Sequence, residues 1–171
     1  MDAKSLELLE FPQIKKILAG FTSFSASRQL ALDLQPLTDY QQVALLLRQS
    51  AEARNLLSIK PGFTIGGVQD IRQEAKMASV GKILTPQSLL DIQNTLTATG
   101  QVRNILKGLS AQMPLLWSIA ADLIAFDEIA DKIACCLSPD GEVLDRASAH
   151  LGNIRRQLVE LRQQLRQQLE A

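Results

Sequence analysis

The residues of this chain best suited to holding a phosphate backbone are four arginines on its last predicted helix. Guanidinium groups pair with phosphate oxygens, so a helix that carries several of them can lie along a nucleic acid. Arginines that flank the apolar seam of a helix often serve only to keep that face solvated, however. No aromatic side chains that could stack on bases lie between these arginines. A solvated face is therefore the simpler interpretation, and nucleic-acid contact is the functional one. The four candidates are Arg155, Arg156, Arg162 and Arg166.

A second candidate for phosphate chemistry is Gly81-Lys82, which resembles the end of a nucleotide-binding loop. Such a loop needs a glycine five residues before Gly81 and a serine or threonine after Lys82. The chain has Lys76 and Ile83 at those positions. The pattern fails, and Gly81 is better interpreted as a helix stop. The sequence predicts no cofactor-binding residue.

Metal binding and acid–base catalysis find little support. His150 is the only histidine, and Cys135 and Cys136 are adjacent, without the spacer of a zinc site. Carboxylates near the last helix fit a turn and a helix approach better than a catalytic cluster; they are Asp140, Glu142 and Asp145. We therefore expect no catalytic residue, no metal ligand and no enzymatic activity within this chain.

The composition is that of one soluble helical domain. The chain has 171 residues, of which 46% are hydrophobic but only 4% aromatic, so its core must be aliphatic. Lys plus Arg and Asp plus Glu both number 18, so no net charge draws the chain to nucleic acid or to anionic lipid. The longest apolar run, residues 114–126, is interrupted by Asp122 and is shorter than the ~20 residues that span a bilayer. We expect a cytoplasmic protein with reduced cysteines and no membrane segment.

Helix signals run along the whole chain and predict an all-α fold. The clearest start is Thr85 followed by Pro86, a cap and a first-turn proline. Residues 38–41 (Thr-Asp-Tyr-Gln) form a capping-box pattern, and Val68 is placed on the helix that ends before Gly81. The patterns predict a compact core of about seven or eight helices. We place this core domain at residues 1–137.

The last part of the chain, residues 138–171, is predicted to be a turn and the start of a long projecting helix that is cut off in mid-course. Ser148 is the expected cap of that helix. Apolar residues recur at alternating steps of three and four and form a heptad seam, which we expect to seat the helix on the core or to pair with a second copy. The seam residues are Leu144, Ala147, Leu151, Ile154, Leu158, Leu161 and Leu165.

Taken in order, several blocks of the sequence resemble the second bacterial type of MutS protein, the MutS-related proteins that lack the mismatch-reading N-terminal domain. These blocks include Ser-Leu-Glu-Leu-Leu-Glu-Phe at 5–11, Gly-Gly-Val-Gln-Asp-Ile-Arg at 66–72 and Asp-Gly-Glu-Val-Leu-Asp at 140–145. Further blocks lie at 34–39, 52–57, 84–86, 147–148 and 154–156. Together they cover nearly the whole chain in the right order.

The resemblance implies a place within a larger machine. In that family this segment resembles the helical core domain, and the final helix resembles the start of a lever that leads to a DNA-gripping clamp. The family's ATPase, with ATP and Mg²⁺, and its C-terminal Smr endonuclease would lie beyond residue 171, and the full-length protein would be a homodimer. Its implied partners are branched or duplex DNA, in suppressing recombination, and the ribosome with its rRNA, in splitting collided ribosomes. The alternative is a free-standing helical adaptor that dimerises through its C-terminal coiled-coil helix.

Overall fold

The computed structural model describes residues 3–169, and within them the chain folds into nine α-helices with no β-strand. Eight helices precede a long C-terminal one, which confirms the predicted all-α class. The helices are α1 (Ala3–Leu8), α2 (Phe11–Gly20), α3 (Ser25–Leu32), α4 (Tyr40–Ile59), α5 (Arg72–Ser79), α6 (Pro86–Gly108), α7 (Pro114–Ala121), α8 (Asp127–Cys136) and α9 (Leu151–Leu169). A 3-10 turn (Asp145–Ala147) lies between α8 and α9.

The main core lies where α4, α6 and α7 meet. Met113 is fully buried just before α7, against Leu56 of α4, Leu106 of α6 and Ala120 of α7. Trp117 covers this cluster and stacks on the guanidinium group of Arg103, 5.8 Å from the ring centre. Helix α6 also packs against α8, so α6 is the central helix of this part of the chain.

The first three helices pack mainly on one another, since α2 contacts both α1 and α3. Pro12 occupies the first turn of α2, where its missing N–H costs no hydrogen bond. Apolar side chains of this cluster remain exposed to solvent, with Phe21 and Leu30 exposed to 82% and 71%. The N-terminal cluster therefore presents an apolar surface that no other described part of the chain covers.

The predicted helix start is confirmed at α6 and is shifted at α4. The Thr85 hydroxyl oxygen accepts a hydrogen bond from the Ser88 N–H at 3.1 Å, as the sequence predicts. The capping box at 38–41 is wrong by one residue, because Asp39 caps α4 and accepts from the Gln41 N–H at 2.9 Å. A carboxylate is a stronger acceptor at the positive helix end than a hydroxyl.

Four further residues differ from prediction. Val68 lies in the loop before α5 rather than on the helix. Leu144 and Ala147 precede α9, so the seam within the helix begins at Leu151. Ser148 lies three residues before α9 and is not its cap. Its hydroxyl oxygen accepts a hydrogen bond from the His150 N–H at 3.4 Å.

Candidate functional site: the α8–α9 junction

A short hairpin connects α8 to the 3-10 turn. Leu137 and Val143 form an isolated antiparallel bridge, and the Leu144 N–H donates to the Cys136 carbonyl at 2.8 Å. The tip is a turn that Gly141 closes with φ 80°, a left-handed conformation that glycine adopts without strain. The Gly141 N–H donates to the Ser138 carbonyl at 3.0 Å, so the predicted turn at 138–141 is present.

The 3-10 turn is tied to α8 through Arg146. Its Nε donates to the Cys135 carbonyl at 2.8 Å, and its Nη2 donates to the Ala134 carbonyl at 3.1 Å. These carbonyls belong to the last turn of α8, where no further helical N–H is available and where the helix dipole favours a cation. Arg146 thus caps α8 from outside the helix.

The neighbouring residue, Asp145, holds the other helix. Its Oδ1 pairs with Nη1 of Arg155 on α9 at 2.5 Å, and the same guanidinium donates from Nη2 to the Val143 carbonyl at 2.9 Å. Gly152 lies beside Asp145, and a Cβ built there would make only an ordinary van der Waals contact, 3.5 Å from the Cβ of Asp145. Two consecutive residues therefore bind the end of α8 and the start of α9. We call residues 134–155 the junction.

The structure separates the four candidate arginines. Arg155 is committed to the junction, and Arg156 bonds to Asn153 and the Gly152 carbonyl within its own helix. Arg162 and Arg166 lie one turn apart on the exposed surface and have no hydrogen-bond or ion-pair partner among residues 3–169. Nucleic-acid contact stays a prediction, and Arg162 and Arg166 are the two candidates whose guanidinium groups are not already bonded to another described residue.

The leucine seam of α9 is not seated on the core as the sequence suggested. In the part of the chain that the structure describes, α9 packs against the 3-10 turn. Ile154, Leu158, Leu161 and Leu165 are each about half exposed, between 48% and 58%. The seam faces solvent beyond the first turn because the junction directs α9 away from the helical body.

An open cleft of about 660 Å³ lies between α6, α8 and the hairpin. Gln87, Gln93 and Asn94 of α6 line one side, and Pro139 and Arg146 line the other. No carboxylate, cysteine or histidine lines it, and Arg146 is already engaged with α8. The cleft offers hydrogen-bonding groups without acid–base chemistry.

Within residues 3–169, no group of three or more His, Cys, Asp or Glu side chains could hold a metal ion. His150 precedes α9 on the surface, and Asp145 is engaged with Arg155. None of the described helices is long and apolar enough to cross a membrane.

Sequence reasoning missed the roles of Asp145, Arg146 and Arg155. It placed Asp145 on the approach to a helix N-terminus and gave it no partner. Arg155 is ten residues away across a turn, and no periodic pattern predicts a pairing of that kind. Only the run Asp-Gly-Glu-Val-Leu-Asp and the neighbouring Ile-Arg-Arg marked both ends of the junction as parts of one pattern.

The fold and the junction define a helical domain from which one long helix projects, with the base of that helix hydrogen-bonded to the junction. No protein-family model matches the chain. Proteins named Endonuclease MutS2 match it from end to end: 34% identity in Pelotomaculum thermopropionicum, 31% in Bacillus cytotoxicus and 36% in Thermomicrobium roseum. These alignments cover 99%, 98% and 99% of this chain and 22% of each relative. The resemblance is confirmed: the chain is homologous to an N-terminal segment of MutS2 and spans about a fifth of those proteins' length.

Proposed function

We propose that this chain is the core and lever segment of a MutS2-type protein, non-catalytic in itself. The observation that carries the proposal is the end-to-end match to relatives of which it covers 22%. Those relatives are named endonucleases, and we assign nuclease and ATPase chemistry, with ATP and Mg²⁺, to parts outside these residues. In this proposal, residues 1–137 are the core and residues 138–171 begin the lever.

The junction supports a mechanical role. Asp145 is bound to α9 and Arg146 to α8, so in this proposal a rotation of α9 about its base is passed through the 3-10 turn to the end of α8. Helix α8 packs on α6, the central helix, so a displacement has a continuous path of packed elements to follow. A lever requires such a stiff base, since a flexible linker would dissipate the movement.

The cheapest test is the reading frame that follows residue 171. A Gly-x-x-x-x-Gly-Lys-Ser/Thr motif should be encoded downstream. A complete gene without this motif would contradict the proposal, because no ATPase would be present to move the lever.

The mechanical role is tested in the protein with its complete reading frame by Arg155→Met. This variant keeps the aliphatic stem but removes the bonds to Asp145 and Val143. We expect ATP hydrolysis and DNA binding to persist separately, while the effect of ATP on DNA binding weakens. Arg156→Met is the matched control, since Arg156 bonds only within α9. Unchanged coupling in Arg155→Met would contradict the lever role.

The partners of the full-length protein are part of the proposal: branched or duplex DNA, the ribosome and its rRNA, and a second copy in a homodimer, in the cytoplasm. Suppression of recombination and rescue of collided ribosomes would be the processes served. The slope of log affinity against log salt concentration is negative for a protein that binds phosphates. If α9 itself contacts a phosphate backbone, Arg162→Gln with Arg166→Gln should reduce the magnitude of that slope by about one to two. An unchanged slope would remove α9 from the interface and leave the lever role intact.

A further inference from the structure

Two cysteines adjacent in sequence lie at the end of α8, where the junction is hydrogen-bonded to that helix. Cys135 and Cys136 are the last two residues of α8, and both are free. Cys135 is exposed and Cys136 is partly buried. An exposed cysteine gains nothing from packing, so the pair is not explained as two small core side chains.

The backbone carbonyls of these residues hold the junction to α8. The Cys135 carbonyl accepts from Arg146 Nε at 2.8 Å, and the Cys136 carbonyl accepts from the Leu144 N–H at 2.8 Å. The next contact, from Arg146 Nη2, ends on Ala134 at 3.1 Å. The hairpin and the 3-10 turn are thus tied to the last three residues of α8, and two of those three are cysteines.

A disulfide between these neighbours cannot form while the helix is intact. Adjacent side chains on an α-helix point about 100° apart. Adjacent Cα atoms are about 3.8 Å apart, which is below the usual range of Cα separation in a disulfide, about 4.4–6.8 Å. Closing the ring must therefore reorient the Cys135–Cys136 peptide, which carries the carbonyl that holds Arg146. It must also change the backbone angles of Cys136, whose own carbonyl holds Leu144.

We propose that Cys135 and Cys136 form a dithiol modification site, which a small-molecule disulfide closes into an intramolecular disulfide that releases the junction from α8. The proposal does not depend on the function of the rest of the protein. In the first step the exposed Cys135 thiolate attacks the reagent disulfide, which frees one reagent thiol and leaves a mixed disulfide on Cys135. Cys136 then attacks the Cys135 sulfur and expels the second reagent thiol. Two protein thiols are oxidised, one reagent disulfide is reduced, and both protons end on the reagent thiols.

The test treats the purified 171-residue chain with oxidised glutathione, followed by alkylation, intact-mass analysis and amide hydrogen exchange. We expect a monomer that has lost two hydrogens, carries no glutathione and takes up no alkylating reagent. Exchange over residues 137–151 should accelerate about tenfold or more, because the lost bonds include charge-assisted ones. Exchange in α4, which packs on α7, should be unchanged.

Cys136→Ser is the matched control, because it removes the resolving thiol and leaves Cys135 to react. It should stop at the glutathione adduct with exchange over 137–151 unchanged, which separates ring closure from simple modification of Cys135. Circular dichroism before treatment checks that both proteins are equally helical. A persistent adduct or disulfide-linked dimers in the unmodified sequence would overturn the dithiol site. A closed ring with unaltered exchange at Leu144 would overturn its link to the junction.

Discussion

At the scale of single residues, Glu52 is the side chain that joins two helices most directly. Its carboxylate, on α4, accepts from the Leu115 N–H at 3.3 Å and the Leu116 N–H at 2.8 Å, at the start of α7. Pro114 precedes them and has no N–H, so Glu52 satisfies the first two donors of α7. The carboxylate also lies at the positive end of the helix dipole.

Glu52→Ala should lower the free energy of unfolding by about 1–3 kcal/mol, because it leaves two partly buried donors without an acceptor. Glu52→Gln should cost less, since its amide oxygen can still accept one of the two bonds. Urea denaturation provides the measurement, and Glu160→Ala on the exposed surface of α9 is the control. Equal stabilities of the Glu52→Ala and Glu160→Ala variants would contradict the capping role.

The pair formed by Asp70 and Arg72 makes a pH-dependent contribution at the start of α5. Arg72 donates to Asp70 from Nε at 2.7 Å, and this side-chain hydrogen bond is the main cause that lowers the pKa of Asp70 below 3.8. Because the folded-state pKa lies below the unfolded one, the pair stabilises the fold fully above the unfolded pKa. That contribution is lost as the pH falls through the folded-state pKa.

An NMR titration of the Asp70 carboxyl should therefore have its midpoint below 3.8, and Arg72→Gln should move the midpoint upward. The effect on overall stability should be small, since Arg72 is 79% exposed. A midpoint that is the same in the two proteins would mean that the pair does not persist in solution.

At the scale of elements, the sequence predicts features that depend on neighbouring residues, such as the start of α6. It does not predict features that depend on bonds between residues far apart in the chain. Thr85 and Pro86 start α6 as expected, because a cap and a first-turn proline act within one helical turn. Heptad spacing extends the predicted seam back to Leu144. The Leu144 N–H instead bonds the Cys136 carbonyl across the hairpin, a partner that spacing alone does not indicate. The sequence identifies the candidate arginines by residue type alone. Only the folded structure shows that Arg155 binds Asp145 and the Val143 carbonyl.

The loop between α4 and α5 provides an element-scale prediction. Thr95 of α6 is 9% exposed, and its hydroxyl oxygen accepts from the Gln69 N–H at 2.9 Å. Thr95→Val keeps the shape but leaves this donor unpaired, so we expect a loss of about 1–3 kcal/mol in thermal or urea unfolding. Thr97→Val, on the exposed face of the same helix, should stay within about 0.5 kcal/mol of the unaltered chain. Equal effects of the two substitutions would indicate that Thr95 does not anchor the loop.

At the scale of the whole molecule, the chain is more open than a self-contained protein of its size. Its accessible surface is 13088 Å² for a mass of 18.8 kDa. A compact monomer of that mass exposes roughly 8,300 Å². The excess comes with exposed apolar side chains on α2, α3 and α9. This surface fits a chain that corresponds to about a fifth of its relatives' length, in which other segments would pack on it.

The exposed seam raises the question of whether α9 pairs with a second copy of itself, as the adaptor hypothesis requires. Two features oppose it. The 19 residues of α9 provide fewer than three heptads, which is short for a stable two-stranded coil. The described helix also carries four arginines against one glutamate, so parallel copies would bring like charges together.

We therefore expect light scattering during size exclusion to give a monomer mass that does not change with concentration at physiological salt. A dimer that dissociates on Leu158→Gln with Leu165→Gln, but survives Val159→Gln beside the seam, would instead favour the adaptor. A dimer unaffected by all three substitutions would place self-association on another apolar surface, such as that of Phe21 and Leu30. The monomer is the outcome that the lever requires, because a seam already paired with its own copy would have no free face for the rest of a larger protein.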